Sequence, residues 1–231
     1  MKLSVILPVK NQEENIRRNF GSIYRFLKKH KAEIIVVESN STDGSLELLK
    51  ELNKKYSFIL HHTTGKGEGK AIKEGIEIAT GDIIGYFDMD LAVPLRFVDN
   101  ALGSFENGNY DIVIGNKYLK ESSAHRDISR RIASRTYNLL VKTVLNSKIG
   151  DHQCGFKFYR KGFVKRNIKA VKDDKCFFDA EMLLLAQNKK ARICELPVEF
   201  YDREQTTLRM KDIAYFFRKV VETRLEGGQV R

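Results

Sequence analysis

Ile83-Ile84-Gly85-Tyr86-Phe87-Asp88-Met89-Asp90 is the stretch that decides the fold. Its apolar part, Ile83 to Phe87, has the length and composition of a strand buried on both faces. Buried strands of this kind belong to parallel sheets covered by helices, which bind ligands beyond the carboxyl ends of their strands. Asp88 and Asp90 stand at that end. Side chains two apart in a strand point to the same side, so both carboxylates are expected to face one ligand. Paired hard oxygen donors repel each other unless a cation lies between them. Mg²⁺ or Mn²⁺, with a phosphate in its remaining positions, meets that demand. A lone D-x-D is also compatible with a solvated acid pair, so the flanking segments have to decide.

Upstream, strands and helices alternate. Ser4 to Pro8 and Ile34 to Val37 read as buried strands, and Tyr56 to Leu60 as a third. Between the first two, Ile16, Phe20, Ile23 and Leu27 recur with helical period. Ser41-Thr42-Asp43 offers capping oxygens to a helix carrying Leu46, Leu48, Leu49 and Leu52. Gly69 to Ala79 reads as a helix packed through Ala71, Ile72, Gly75, Ile76 and Ala79. Downstream, Ile112 to Ile114 reads as another strand. The pattern is α/β, with a mostly parallel central sheet flanked by helices.

Beyond Ser122 the character changes. A helix bearing Arg126, Arg130, Arg131 and Arg135 runs on through Leu139, Leu140, Val144 and Leu145. Strands are expected near Gly155–Phe158 and Ile193–Phe200, with a helix at Ala180–Gln187. Ile213, Phe216, Phe217, Val220 and Val221 have helical spacing with cations between them. That segment suits either a core-packing helix or one lying on a membrane surface.

The 231 residues suit one α/β domain, and 42% hydrophobic content supplies its core. Cys154, Cys176 and Cys194 form no C-x-x-C pair, and an odd count builds no disulfide framework. They read as reduced thiols of a cytosolic protein. The apolar run at the amino terminus stops at Pro8, as a first core strand would rather than a leader. No segment approaches the roughly 18 apolar residues of a membrane span. The formal charge of +11, from 41 Lys and Arg against 30 Asp and Glu, favours polyanionic partners.

Several familiar sites are excluded. Gly65-Lys66-Gly67-Glu68-Gly69-Lys70 suggests a P-loop, but Ala71 follows where Ser or Thr is required, and the glycine spacing is one residue short. Pro8-Val9-Lys10-Asn11 replaces the glycine fingerprint of a dinucleotide site. His152 and Cys154 have no second ligand pair at zinc spacing.

The remaining segments resemble the family 2 nucleotide-sugar glycosyltransferases of GT-A fold. Val5 to Ile16 looks like the family's opening strand and loop, and Val36 to Ser45 like its second strand and turn. Gly65-Lys66-Gly67 and Ala79-Thr80-Gly81-Asp82 lead into the acids as the family's pattern does. Asp88-Met89-Asp90 followed by Pro94 looks like its metal motif. Gly150 to Lys157, Phe178 to Leu183 and Glu195 to Phe200 are similar to segments of the polyprenyl-phosphate sugar synthases. Two positions depart: Ala92 stands where many mannose synthases carry a metal-contacting Gln, and Lys117 where some members carry a phosphate-binding Arg.

The resemblance implies one domain over residues 1–231, with a nucleotide-sugar-binding half (1–115) and an acceptor-binding half ending in a helix (116–231). It places Pro8, Val9, Asn11, Glu13, Glu38, Lys66, Gly67 and Asp88 around the nucleotide sugar, and Mg²⁺ or Mn²⁺ on Asp88 and Asp90. The donor is a nucleotide-diphosphate sugar, UDP-glucose or GDP-mannose, and the acceptor a polyprenyl or dolichyl phosphate. The expected location is cytoplasmic, peripherally on the cytoplasmic face of the membrane.

Chemistry supports the phosphate acceptor separately. A hydroxyl acceptor needs a base, whereas a phosphate is already ionised and needs positive charge to hold it. Arg126/Arg130 and Arg131/Arg135 form two rows at i,i+4 spacing, and the resemblance adds Lys117, Arg203 and Arg209 to the expected phosphate-binding set. For a hydroxyl acceptor, Asp179 and Glu181 are the candidate bases. A basic nucleic-acid-binding module is the remaining rival, and no recognition motif accompanies the charge, so no nucleic acid partner is expected.

Overall fold

The computed structural model describes residues 1–125, 127–202 and 210–225, with backbone alone for 210–213. The chain opens with β1 (Leu3–Val9), α1 (Glu13–Lys29), β2 (Glu33–Glu38), α2 (Ser45–Lys55), β3 (Ile59–His62), α3 (Glu68–Ile78) and β4 (Ile83–Phe87). It continues through α4 (Phe97–Asn107), β5 (Ile112–Asn116), β6 (Ser123–His125) and α5 (Ile128–Val144). The last part holds β7 (Phe156–Arg160), α6 (Lys161–Asn167), α7 (Phe178–Asn188), β8 (Ile193–Pro197), β9 (Glu199–Tyr201) and α8 (Met210–Leu225).

Seven strands form one sheet in the order β3-β2-β1-β4-β7-β5-β8. All neighbours are parallel except β7, which runs antiparallel to both β4 and β5. The sheet is thus mostly parallel and flanked by helices, as the buried strand pattern implies. β6 and β9 pair in a small second sheet.

Each sheet face has its own core. One packs Ile16, Phe20, Ile23 and Leu27 of α1 with Leu49 of α2 and Val98, Ala101 and Phe105 of α4. The other gathers Ile72 and Ile76 of α3, Tyr137 and Val141 of α5, Phe163 and Val164 of α6, and most of α7. A fully buried Ile or Phe contributes roughly 1.5–3 kcal/mol through removal from water. Residues Ala180 to Ala186 of α7 are all buried, as a helix enclosed on every side must be. On α8, Phe216 and Val220 pack into the core beside Tyr137, while Phe217, Val221 and Leu225 remain exposed.

Three details differ from the sequence expectations. The third strand starts at Ile59 rather than Tyr56, because the Tyr56 and Phe58 rings pack on Phe20 instead of joining the ladder. The stretch Ile193–Phe200 is two strands in different sheets, divided at the buried Val198. α4, α6 and β6 occupy segments to which the pattern assigned no element.

Candidate active site

β4 delivers its acids just beyond its last ladder residue. Pairing with β7 ends at Phe87 opposite Phe156, and Asp88 to Asp90 leave the sheet in a turn. Leu91 N–H donates to the Asp88 carbonyl at 3.2 Å, and Ala92 N–H to Asp90 Oδ1 at 2.9 Å. The two carboxylates are therefore brought together by a turn and not by strand pleating, which corrects the strand-alternation argument. The Asp88 carboxylate lies against Gly155, where any Cβ would collide with it.

Other charged groups converge there. Glu68, the first residue of α3, is exposed to solvent but within electrostatic reach of these acids. Crowding of its carboxyl by protein atoms, and then repulsion by Asp179 and Asp90, raise it above the usual carboxylate range against the pull of Lys157. Burial, then Glu68, Asp90 and Asp179, drive Asp88 well above the usual carboxylate range. Lys157 is fully buried on β7, 2.8 Å from Asp179 Oδ2, and also donates to the Cys154 carbonyl. Tyr86 OH donates to Asp179 Oδ1. Among the described residues, no three acidic, His or Cys side chains form a ready-made metal cage. The donor chemistry nevertheless fits a hard divalent ion, because like-charged oxygens crowd one cleft and a cation on Asp88 and Asp90 would relieve their repulsion.

The nucleotide-side candidates surround the carboxyl ends of β1, β2 and β3. Pro8 is half-buried and Val9 buried. Asn11 N–H donates to Ser41 Oγ at 3.0 Å, while Asn11 Oδ1 accepts Thr42 N–H at 2.7 Å. Glu13 accepts Gly44 N–H at 2.9 Å and pairs with Arg17 at 2.7 Å. Asp43 takes the N–H groups of Ser45 and Glu13, the first residues of α2 and α1. Asn11 and Glu13 thus brace one loop against the other. Glu38 is covered, with its oxygens on Ser41 N–H and His62. Lys66 is exposed beside Gly67, whose φ of 116° suits glycine and whose missing Cβ admits the Asp174 carbonyl.

On the acceptor side, Lys117 is not a free cation. It is buried, and its ammonium lies 2.9 and 2.7 Å from the two oxygens of buried Asp151. Burial opposes both charges, yet their mutual attraction keeps Asp151 below its usual range and Lys117 above its own. Arg130 pairs with Asp202 at 3.1 Å, Arg131 is exposed, and Arg135 lies over the Tyr118 ring. Arg126, Arg203 and Arg209 lie outside the described residues.

The candidate bases are engaged as well. Both oxygens of Asp179 are occupied by Tyr86 and Lys157, and both oxygens of Glu181 accept the N–H groups of Lys172 and Asp173. Sequence reasoning assigned no role to Glu68, Tyr86 or Lys157. Glu68 was visible within the glycine-rich stretch, whereas the burial of Lys157 depends on the β4–β7 register.

A mostly parallel sheet with one antiparallel strand inserted and an acidic turn beyond its central strand fits the GT-A fold. The chain belongs to glycosyl transferase family 2, whose family model matches residues 4–167. It is 31% identical over 96% of its length to glycosyltransferase AglD of Haloferax volcanii, covering 37% of that protein. It is 28% identical over its full length to a dolichol-phosphate mannosyltransferase of Pyrococcus furiosus, covering 66% of it. A dolichyl-phosphate beta-glucosyltransferase (ALG5D) of Trichomonas vaginalis is 26% identical over 90% of this chain and 68% of its own. The chain thus spans between about a third and two thirds of these relatives. Among solved structures, glucosyl-3-phosphoglycerate synthase of Mycobacterium tuberculosis, in complex with Mn²⁺, UDP and phosphoglyceric acid, aligns with a TM-score of 0.70. That alignment has 16% identity and covers 100% of this chain and 79% of the other.

Proposed function

We propose that this glycosyltransferase moves a hexose, with inversion, from UDP-glucose or GDP-mannose to a polyprenyl phosphate at the cytoplasmic face of a membrane. The observation that carries this reading is the engagement of both candidate bases. A sugar hydroxyl must lose a proton as it attacks, and each oxygen of Asp179 and Glu181 already accepts a hydrogen bond, which lowers its readiness to take that proton. A phosphate oxygen is already ionised and attacks without that help. Two of the curated relatives carry dolichol-phosphate transferase names, which supports the same acceptor class.

Pro8 and Lys66 flank the nucleotide side, with Val9 packed in the core beneath them, and Asp88 and Asp90 would hold Mg²⁺ or Mn²⁺, which would supply positive charge to the leaving diphosphate. Lys157 keeps Asp179 neutralised beneath the reacting centre. Arg130 and Arg131 lie on the helix expected to meet the acceptor phosphate. The exposed Ile128, Ile132 and Leu139 of α5, with Phe217, Val221 and Leu225 of α8, form apolar faces beside Arg131, Arg135 and Arg218. Such faces suit contact with an anionic lipid surface. No helix among the described residues is long and apolar enough to cross a membrane.

The test is transfer of labelled sugar from UDP-glucose and GDP-mannose into the organic phase, with polyprenyl phosphate, Mg²⁺ or Mn²⁺, and an EDTA control. Metal-dependent transfer from one donor is the expected result. Transfer to a hydroxyl acceptor alone would overturn the lipid-phosphate reading.

A further inference from the structure

We propose that His62, oriented by Glu38, reads the nucleobase of the donor and selects bases that carry an imide or lactam N–H; this rests on the nucleotide-sugar reading above. Glu38 and His62 are the last register pair of β2 and β3. The Glu38 side chain is 0% exposed and the His62 side chain 46% exposed, with Glu38 Oε2 2.6 Å from His62 Nδ1. The other oxygen, Oε1, accepts Ser41 N–H at 2.6 Å. A base approaching this edge of the sheet therefore meets the imidazole, with the carboxylate beneath it.

The surrounding backbone keeps the pair in place. Thr63 N–H donates to the Glu38 carbonyl at 2.9 Å, Asn40 Nδ2 to the Thr63 carbonyl at 3.1 Å, and Ser39 Oγ to the Gly65 carbonyl at 3.2 Å. Burial tends to raise the Glu38 pKa, but the Ser41 and His62 hydrogen bonds hold it below the usual carboxylate range. An ionised carboxylate only accepts, so the hydrogen between the two groups sits on His62 Nδ1. In the neutral ring this leaves Nε2 as an acceptor on a partly exposed side chain.

An acceptor at that place discriminates by base chemistry. Uracil N3 and guanine N1 carry a hydrogen that Nε2 can accept. Cytosine N3 and adenine N1 carry none and present a lone pair, which would face the Nε2 lone pair. His62 thus favours uridine and guanosine diphosphates over cytidine and adenosine diphosphates, with Glu38 as the positioning residue.

The test is calorimetric titration of the full chain with UDP, GDP, CDP and ADP in Mg²⁺. In the unmodified protein, UDP or GDP should bind about tenfold or more tighter than CDP and ADP, the scale of one well-placed hydrogen bond. His62→Ala should collapse that preference to within about threefold while circular dichroism stays unchanged. His62→Gln, whose carbonyl oxygen can accept, should restore part of it. His62→Thr, a good strand former, replaces the alanine variant if the latter unfolds. An unchanged preference in a folded His62→Ala or His62→Thr protein overturns the inference and leaves the nucleotide-sugar reading standing. Binding of none of the four nucleotides to the unmodified protein sinks both.

Discussion

Lys157 and Tyr86 face each other across the antiparallel β4–β7 pair, and both reach one carboxylate, that of Asp179. A fully buried ammonium thus sits under the acids of the cleft, neutralising one and drawing on Glu68 and Asp88 as well. Charge balance in this site depends on the lysine before any ligand arrives.

Lys157→Met should therefore destabilise the protein by about 3 kcal/mol, because it leaves an uncompensated carboxylate in a poorly solvated place. Adding Asp179→Asn should recover much of that loss without recovering transfer. Urea denaturation of the two single variants and the double variant measures the coupling, and purely additive losses would argue against the pairing.

Asp90→Ala should lower transfer by about a hundredfold or more, the usual cost of removing one stabiliser of developing charge. Asp90 lies in a turn and not in the ladder, so the variant should keep the circular dichroism of the parent. Full activity in a folded variant would remove the acid from the metal role.

Gly67→Ala should cost about 1–3 kcal/mol, since its φ of 116° is strained for a side chain and the Asp174 carbonyl occupies the space of a Cβ. The damage should spread to nucleotide binding, because Lys70 N–H also bonds Asp174 O at 2.9 Å and ties this loop to the start of α3. A shifted denaturation midpoint together with a raised nucleotide Kd is the expected result.

His152 provides the pH test. Burial lowers its pKa to about 4, against about 6.5 in the unfolded chain. Its contribution is complete above pH 6.5 and is lost as pH falls towards 4, because only the unfolded chain takes up the proton readily. Between pH 7.5 and 5 the loss should be about 2 kcal/mol. His152→Gln should flatten that slope, and an unchanged slope would place the titration elsewhere.

The strand Ile83–Phe87 is legible to the residue because an apolar run ends abruptly in acids. The helix over Phe97–Asn107 is not read from the sequence, although Val98, Ala101 and Phe105 lie on its buried face. In contrast, β6 is three residues, Ser123–His125, with no pattern of its own, and exists only because β9 pairs with it. The site follows the same division. Sequence position puts Asn11, Glu13, Glu38 and Lys117 at or just beyond the carboxyl ends of β1, β2 and β5, but whether their polar atoms face a ligand or a neighbouring loop depends on tertiary hydrogen bonds. Glu38 lies under His62, and Lys117 is paired with Asp151. Residue type and local spacing carry no trace of those partners.

The antiparallel β7 has a consequence for how the chain assembles. β4 and β5 come early in the sequence but do not touch; their facing edges are filled by a strand that follows β5 by some forty residues. Until residues 156–160 emerge and slot in, two apolar strands present open hydrogen-bonding edges, the condition that favours self-association. A fragment ending near residue 115 should therefore aggregate instead of yielding an isolated nucleotide-binding half. A fragment reaching past Arg160 should gain solubility by sedimentation, since the late strand is what closes the gap.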